Sequence, residues 1–417
     1  MRAIVYHIHP LGWLACKALG GFVPSLRYSR LGGLALRDVE IPELPGDDWV
    51  LARTLLGGIC GTDLAILAQA QPPGSILQAF SSSPMILGHE NVAVVERVGP
   101  AVGKEWLGRR VCVEPTLCCE VRGIDPPCPR CRAGQFGICE NFGADGAGAS
   151  RLPPGTSIGY NRATGGSFGE YFLAHRSQLV PVPDDMSDEQ AVLTDPLACS
   201  LHAVLRADLS SARSVLVYGA GVLGLGVIAA LRAVGYTGRI DALDRAAYLD
   251  EAVRATGADE FLILPHRAAG RFAAIADRTG GGVHTVRLGN YALSGGYDVT
   301  FECVGSRRSL GECLQWTSGG GQVVMVGTGW GAPDLTALWF TELRLIGAYG
   351  RGLERFEGKE IRTYQLTHQL MTSGRLRAPG MLTHLFPLTD YHRAFEVASC
   401  KTAWRAIKVA FDFRGGG

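Results

Sequence analysis

Three side-chain types that zinc accepts as ligands lie in the first quarter of the sequence. Cys60 lies in the segment Gly-Ile-Cys-Gly-Thr-Asp, and His89 and Glu90 lie in Gly-His-Glu. A thiolate, an imidazole and a carboxylate are all zinc donors. Asp195, at the start of an apolar segment that we predict to be helical, is a further candidate ligand. The competing interpretation of Asp195 is an N-cap, since Pro196 follows at what would be the first helical position.

A second group of possible ligands is the cysteine-rich segment 118–139, which contains five of the twelve cysteines. Cys128, Cys131 and Cys139 lie in a loop rich in Pro and Gly with no regular pattern of its own. A closed tetrahedral zinc site would hold such a loop together, so we predict a structural zinc there. The fourth ligand is expected among three preceding residues, Cys119 first and then Cys118 or Asp125.

A glycine-rich turn lies between a predicted strand and a predicted helix at residues 215–234. Gly219 would make the turn, Gly221 would let the backbone approach a pyrophosphate, and Gly224 would let helix and strand pack closely. The segment therefore predicts a dinucleotide site at the first turn of a helix. The predicted dinucleotide-binding residues are Gly219, Gly221, Val222, Leu223, Gly224, Asp244, Arg245, Val304, Gly305 and Gly327.

Asp244 lies 20 residues after Gly224, where a carboxylate reaches the adenosine ribose 2′-OH. A carboxylate there would repel a 2′-phosphate, which favours NAD over NADP. Arg245, the next residue, opposes this preference in part. Val304, Gly305 and Gly327 follow later predicted strands, at the sheet edge where a dinucleotide lies.

Composition limits the classes of protein. The chain has 417 residues, of which 47% are hydrophobic, so two domains are expected. A net charge of +1 gives no electrostatic reason to expect a nucleic acid partner. No apolar segment approaches the roughly 20 residues of a membrane span. Clustered cysteines favour metal binding in a reducing compartment, so we expect a cytoplasmic protein without a membrane partner.

The hydrophobic patterns predict a mixed α/β fold. Short apolar segments broken by Gly and Pro predict a β-rich domain from residues 1–196 and 351–417. Alternating strands and helices predict a doubly wound parallel sheet over residues 197–350. Residues 8–30 are apolar, basic and free of acids. We interpret them as an insertion that covers the substrate cleft or contacts another subunit, with a simple surface excursion as the alternative.

These segments, in this order, resemble the zinc-dependent medium-chain alcohol dehydrogenases over nearly the whole chain. The resemblance is greatest to the sorbitol, threonine and glucose dehydrogenase branches, where an acid followed by Pro-Leu stands at the third zinc position. It implies a GroES-like catalytic domain, a Rossmann domain and a homodimer or homotetramer. It also implies an oxidoreductase that transfers hydride between an alcohol, or its aldehyde or ketone, and NAD.

The resemblance also implies roles for single residues. Cys60, His89 and Asp195 match the ligands of a catalytic zinc. Glu90 matches a neighbouring acid that in relatives binds zinc or stands just outside it. Thr62 matches the hydroxyl that passes on the substrate proton. Cys60, Asp195 and a neutral His89 would balance the two charges of the metal, so Glu90 would then bind only transiently.

The sequence departs from the family at three positions. Ala65 stands where many relatives continue the proton relay with His, so protons must leave by another route. Asp195 stands where the nearest branches have Glu; the shorter side chain suggests contact through water while Glu90 binds directly. The first structural cysteine is displaced, since the usual spacing would put it at Asp125.

Three other functions remain open from the sequence alone. A redox-neutral epimerase or dismutase would keep its NAD bound throughout the reaction. A zinc-free NADPH reductase would use the same scaffold on conjugated alkenes. A non-catalytic scaffold would bind the dinucleotide without turnover.

Overall fold

A computed structural model describes the chain except for residues 8, 71–73, 77–80, 144–149, 151, 330 and 416–417. The strands of the described part are β1 (Arg2–Tyr6), β2 (Leu34–Asp38), β3 (Trp49–Gly58), β4 (Met85–Ile86), β5 (Glu90–Val98), β6 (Arg110–Val113), β7 (Tyr171–His175), β8 (Leu179–Pro181), β9 (Ser214–Tyr218), β10 (Arg239–Leu243), β11 (Glu260–Leu262), β12 (Gly282–Thr285), β13 (Tyr291–Ser294), β14 (Tyr297–Glu302), β15 (Thr317–Met325), β16 (Arg344–Gly347), β17 (Leu353–Phe356), β18 (Lys359–Arg362), β19 (Leu382–Phe386) and β20 (Lys408–Asp412).

Its α-helices are α1 (Pro10–Leu19), α2 (Gly61–Leu67), α3 (Cys119–Arg122), α4 (Pro129–Arg132), α5 (Asp188–Ala191), α6 (Thr194–Arg206), α7 (Val222–Ala233), α8 (Asp250–Thr256), α9 (Ala268–Thr279), α10 (Arg307–Trp316), α11 (Thr336–Phe340), α12 (Thr363–Thr372), α13 (Tyr391–Ser399) and α14 (Lys401–Trp404). Within the described residues, no helix is long and apolar enough to cross a bilayer.

A six-stranded sheet with all neighbours parallel forms the nucleotide-binding half, in the order β11-β10-β9-β14-β15-β16. This is the strand order 3-2-1-4-5-6 of a Rossmann fold. The central strands are apolar runs because helices cover both faces of a parallel sheet; Val215, Leu216 and Val217 of β9 are fully buried. The predicted doubly wound sheet is confirmed.

The β-rich half is a seven-stranded sheet in the order β19-β20-β3-β5-β6-β8, with β7 also paired to β3. Strands β19 and β20 come from the end of the chain, whereas the other five lie before residue 182. The fold therefore joins both chain ends in one sheet, as the patterns predict. The domain boundaries at 196/197 and 350/351 stay predictions.

The predicted insertion contains a helix and a short turn of helix. Helix α1 leads to a 3-10 helix, Pro24–Tyr28. Tyr28 is buried and stacks on Phe395 of α13, with ring centroids 5.6 Å apart. The Lys17 ammonium donates to the Gln69 carbonyl oxygen at 2.6 Å. These contacts attach the insertion beside the end of α2.

Candidate metal and dinucleotide site

Two paired strands bring the first candidate ligands together. Strands β3 and β5 are antiparallel, and Gly58 pairs with Glu90. Cys60, two residues after Gly58, is the N-cap of α2 and so lies beside His89. One donor atom each from Cys60, His89 and Glu90 lie within 4.8 Å of one another. Gly58 is required here, because a Cβ at this position would lie 2.2 Å from Glu90 Oε2.

Two buried side chains orient the His89 ring. The Tyr160 hydroxyl lies 2.9 Å from His89 Nδ1 and donates to Asp63 Oδ1 at 3.0 Å. Since that hydroxyl proton goes to Asp63, the Tyr160 oxygen accepts from Nδ1–H, which leaves the Nε2 lone pair free for a metal. Asp63 Oδ2 also accepts from the Cys60 N–H at 2.8 Å, so one carboxylate positions both candidate ligands.

The electrostatic environment of His89 favours a cation. Burial alone would lower the pKa of His89, but Cys60, Asp63 and Asp195 outweigh burial and raise the pKa to about 10. Asp195 Oδ2 lies 3.9 Å from His89 Nε2. A proton or a divalent cation at Nε2 would relieve the same excess of negative charge.

A buried lysine neutralises Glu90. Lys408 on β20 forms an ion pair with Glu90 Oε2, and both side chains are 2% exposed. The Lys408 ammonium also donates to the Ile59 carbonyl oxygen at 3.0 Å. Although burial lowers the pKa of Lys408, Glu90 and Cys60 more than restore it.

An arginine and a tyrosine anchor Asp195. Asp195 Oδ1 accepts from Arg351 Nη2 at 2.5 Å and from the Tyr364 hydroxyl at 2.6 Å. The other oxygen, Oδ2, is the one that faces His89. The N-cap interpretation of Asp195 is wrong, because α6 begins at Thr194 and its N-cap residue is Leu193. Asp195 lies instead inside the first turn of α6, where its carboxylate forms an ion pair with Arg351.

Thr62 and Ala65 lie on the helix that Cys60 caps. The Thr62 hydroxyl oxygen is 3.7 Å from Cys60 Sγ and half-buried, which puts it next to the candidate ligands. Ala65 lies one helical turn further along α2 and lines a cleft rather than contacting this cluster. Of the proton relay expected from the family, Thr62 therefore supplies the hydroxyl, whereas Ala65 stands where many relatives have the His imidazole.

The cysteine-rich loop gathers four thiols. Four sulfur atoms lie within 4.8 Å of one another, those of Cys119, Cys128, Cys131 and Cys139. Three of these sulfur atoms accept hydrogen bonds of 3.3–3.4 Å from backbone N–H groups. Cys128 N–H donates to Cys119 Sγ, Cys131 N–H to Cys128 Sγ, and Asn141 N–H to Cys139 Sγ. Hydrogen bonding from Cys131 holds the pKa of Cys139 below that of an ordinary thiol. Four sulfur donors with such bonds fit a closed zinc site.

The two other candidates for the fourth zinc ligand, Cys118 and Asp125, lie outside this group of four thiols. Cys118 is the N-cap residue of α3 and is outside the group of four, although its thiol also hydrogen-bonds with Cys131. The Asp125 side chain is exposed and also lies outside the group. The geometry favours Cys119, whose Sγ is 3.6 Å from Cys139 Sγ.

The glycine-rich turn has the shape that a dinucleotide requires. Gly219 has φ +100°, and a Cβ there would lie 2.7 Å from Val304 Cγ2. A Cβ on Gly224 would lie 1.7 Å from the Gly219 carbonyl oxygen, whereas one on Gly221 would meet nothing within 4 Å. Gly221 therefore has open space in front of it, at the N-cap of α7, where Val222 and Leu223 form the first turn.

The remaining predicted dinucleotide residues lie at the same sheet edge. Asp244 follows β10, and its Oδ2 accepts from the Ala220 N–H at 2.8 Å, so the carboxylate lies against the glycine turn. Arg245 is exposed. Glu302 Oε1 accepts from the Val304 and Gly305 N–H groups at 3.0 and 2.9 Å. A Cβ on Gly327 would lie 2.4 Å from Gly305 N, so these two loops touch.

Four residues of the site escaped the sequence analysis: Tyr160, Arg351, Tyr364 and Lys408. Only Lys408 carried a signal, since a lysine inside the apolar segment 406–411 has no reason to be buried without a partner. The other three reach the site from distant parts of the chain.

Comparisons with known proteins agree with this geometry. Residues 46–184 match the alcohol dehydrogenase GroES-like domain, and residues 222–365 match the zinc-binding dehydrogenase family. An L-threonine 3-dehydrogenase of Rhizobium etli is 29% identical over 370 residues, which are 87% of this chain and 91% of that protein. A sorbitol dehydrogenase of Arabidopsis thaliana is 26% identical over 383 residues, 91% of this chain and 92% of the relative. The crystal structure of 2R,3R-butanediol dehydrogenase from Bacillus subtilis has the same fold, with a TM-score of 0.71, 23% identity and 99% of each chain covered.

Proposed function

Because this chain belongs to the zinc-dependent medium-chain alcohol dehydrogenases, we propose that the cluster around Cys60 and His89 is where it transfers hydride between an alcohol, or its aldehyde or ketone, and NAD. The observation that carries this proposal is the group of thiol, imidazole and carboxylate donors within 4.8 Å. It lies at the start of α2, and one face of this helix lines a cleft.

Cys60, His89 and Glu90 are the residues that we propose to hold the catalytic zinc. When bound there, zinc supplies a Lewis acid that lowers the pKa of an alcohol and polarises a carbonyl. One thiolate, one carboxylate and a neutral imidazole balance the two charges of the metal. Asp195 is already neutralised by Arg351. Glu90 is likewise paired with Lys408, so pairing does not separate the two acids. The Glu90 oxygen, however, lies in the same group of donor atoms as Cys60 and His89, whereas Asp195 lies outside that group, which favours Glu90 as the direct ligand.

The surrounding side chains position the donors and move the proton. Tyr160 and Asp63 hold His89 in one tautomer, so that Nε2 stays an acceptor. Thr62 lies beside Cys60, where its hydroxyl can accept the proton that an alcohol loses and donate its own onward. Ala65 cannot take that proton, so the onward route runs through the cofactor ribose or water in the cleft.

Asp244 is the proposed determinant of NAD preference. Its carboxylate is anchored to the Ala220 N–H of the glycine turn, at the end of β10. A ribose 2′-OH can donate to this carboxylate, whereas a 2′-phosphate would meet a like charge there. Arg245 is exposed beside it, so solvent screens its charge and its opposing effect is the smaller one.

We also propose a structural zinc at Cys119, Cys128, Cys131 and Cys139, a homodimer or homotetramer, and a cytoplasmic location. The four-thiol group supports the second metal. Exposed apolar side chains beside the edge strand of the parallel sheet support the oligomer, with Trp339 79% and Phe340 75% exposed. Thiols used for metal binding fit a reducing compartment.

The test follows nicotinamide absorbance with zinc-replete protein against polyols, sugars, aliphatic and aromatic alcohols and their carbonyls, with NAD and NADP in parallel. We expect turnover on one class, and loss of turnover and of one zinc per chain in Cys60→Ser. The control is Cys313→Ala, because Cys313 is a buried cysteine that belongs to neither proposed zinc site. This variant should keep both its turnover and its zinc. Full activity of metal-free protein, or NAD that is never released, would contradict the proposal.

A further inference from the structure

A cleft of about 700 Å³ adjoins the proposed zinc ligands. One wall is a face of α2 with small or apolar side chains, Gly61, Leu64, Ala65 and Ala68. These residues are three or four positions apart and therefore share one side of the helix. Gly61 directly follows Cys60, and Lys401 on the other wall lies near enough to Cys60 and Glu90 for their charges to act on it, so the cleft adjoins the metal cluster. The small side chain of Ala65 widens the cleft at this point.

The opposite wall combines the N-terminal insertion with the end of α13 and with α14. The insertion contributes Arg27 and Tyr28, and the later segment contributes Ser399 and Lys401. The two are joined, since the Tyr28 hydroxyl hydrogen-bonds with the Ser399 hydroxyl. The stacking of Tyr28 on Phe395 fixes the same junction. Arg27 is thus held at the cleft by the packing of its neighbour.

The charge of this cleft is one-sided. Arg27 and Lys401 both line it, and its lining contains no Asp or Glu among the described residues. The Arg27 Nε atom is buried and has no hydrogen-bond partner in the described part of the chain. Burial and the nearby Lys408 lower the pKa of Lys401. Cys60, Glu90 and Asp244 oppose that shift from outside the cleft without cancelling it. An anion bound inside the cleft would therefore stabilise both cations.

We propose that Arg27 and Lys401 form a subsite for a phosphate or carboxylate group carried by the molecule that enters this cleft. The inference deepens the proposed function, on which it rests, by naming the substrate class as an anionic alcohol or its carbonyl. The same chemistry is available from the pyrophosphate of the dinucleotide. Either way, the insertion supplies a binding residue and is more than a surface excursion.

The first experiment measures binding of inorganic phosphate to cofactor-free protein by isothermal titration calorimetry. A charge-assisted hydrogen bond is worth enough that Arg27→Gln and Lys401→Gln should each weaken binding about tenfold. Arg30→Gln, an exposed arginine of the same insertion that does not line the cleft, should bind as the unchanged protein does. Because no hydride transfer is measured, failure of the proposed reaction does not affect this result.

The second experiment distinguishes the two sources of the anion. If the substrate carries it, Arg27→Gln raises KM for phosphorylated or carboxylated alcohols about tenfold and leaves KM for neutral alcohols and the Kd of NAD unchanged. If the dinucleotide carries it, the Kd of NAD rises instead and every substrate is affected alike. No phosphate binding by the unchanged protein, or equal binding by the Arg27 and Arg30 variants, overturns the subsite.

Discussion

At the scale of single residues, each buried acid near His89 has its own partner. Glu90 is paired with Lys408, Asp195 with Arg351, and Asp63 accepts from Tyr160. Burying a carboxylate without such a partner would cost several kcal/mol. The net charge at the metal site therefore depends on these partners as well as on the ligands. A count of the possible ligands alone overestimates the negative charge of the site.

The first prediction separates Glu90 from Asp195 as zinc ligands. Glu90→Gln should lose the catalytic zinc, because an amide is a much poorer ligand and leaves Lys408 as an uncompensated positive charge. Asp195→Asn should keep that zinc while lowering turnover, because Arg351 loses its partner beside the site. Zinc per chain measured by inductively coupled plasma mass spectrometry, together with kcat, checks both results.

A matched variant controls for loss of charge alone. Asp188→Asn removes an acid that pairs with Arg110 and Arg414 at the start of α5, and it should change neither zinc content nor kcat. Zinc retained by Glu90→Gln but lost from Asp195→Asn would reverse the assignment, with Asp195 as the direct ligand.

The second prediction concerns the dinucleotide. Asp244→Asn keeps an oxygen for the Ala220 N–H but removes the negative charge. The ratio of Kd for NADP to Kd for NAD should fall about tenfold, since a charge-assisted hydrogen bond to ribose and a repulsion of phosphate are both lost. Quenching of tryptophan fluorescence measures both constants. Asp250→Asn, which breaks only an exposed pair with Arg254, should leave the ratio unchanged; an unchanged ratio in Asp244→Asn would mean that Asp244 does not read the ribose.

At the scale of elements, predictability depends on how local the cause is. The turn at Gly219 and Gly224 could be read from the sequence because strand, turn and helix adjoin in the chain. The ion pair between Glu90 and Lys408 could not, because it depends on β20 returning beside β3, which no local pattern encodes. The same holds for Arg351, which reaches Asp195 over 156 positions of sequence.

The cysteine-rich loop allows the third prediction. Cys119→Ala should lose the second zinc and lower the melting temperature, because helices α3 and α4 have four residues each and are too short to hold the four thiols together without a metal. Structural zinc contributes folding free energy directly. Cys118→Ala and Asp125→Ala should keep the zinc. Zinc content and differential scanning fluorimetry measure these effects; if Cys118→Ala loses the metal while Cys119→Ala keeps it, the fourth ligand is Cys118.

At the scale of the whole molecule, two groups of exposed apolar side chains among the described residues are candidates for the subunit contact. One is Trp339 and Phe340, next to β16 at the edge of the parallel sheet. The other is the outer side of the insertion, where Leu11 is 70% and Phe22 is 87% exposed. An unpaired edge strand invites pairing with another chain, and a two-fold axis there would extend the sheet. The sheet edge is therefore the better candidate for the subunit contact.

The last prediction follows from that choice. Trp339→Glu places a charge in the proposed contact and should halve the mass measured by light scattering, while the circular dichroism spectrum stays unchanged. Phe22→Glu is the matched variant, since it puts the same charge on the insertion and should leave the mass as it was. If Phe22→Glu dissociates the protein and Trp339→Glu does not, the insertion is the subunit contact. In that case Arg27 would approach the cleft from an interface, and phosphate binding would depend on protein concentration.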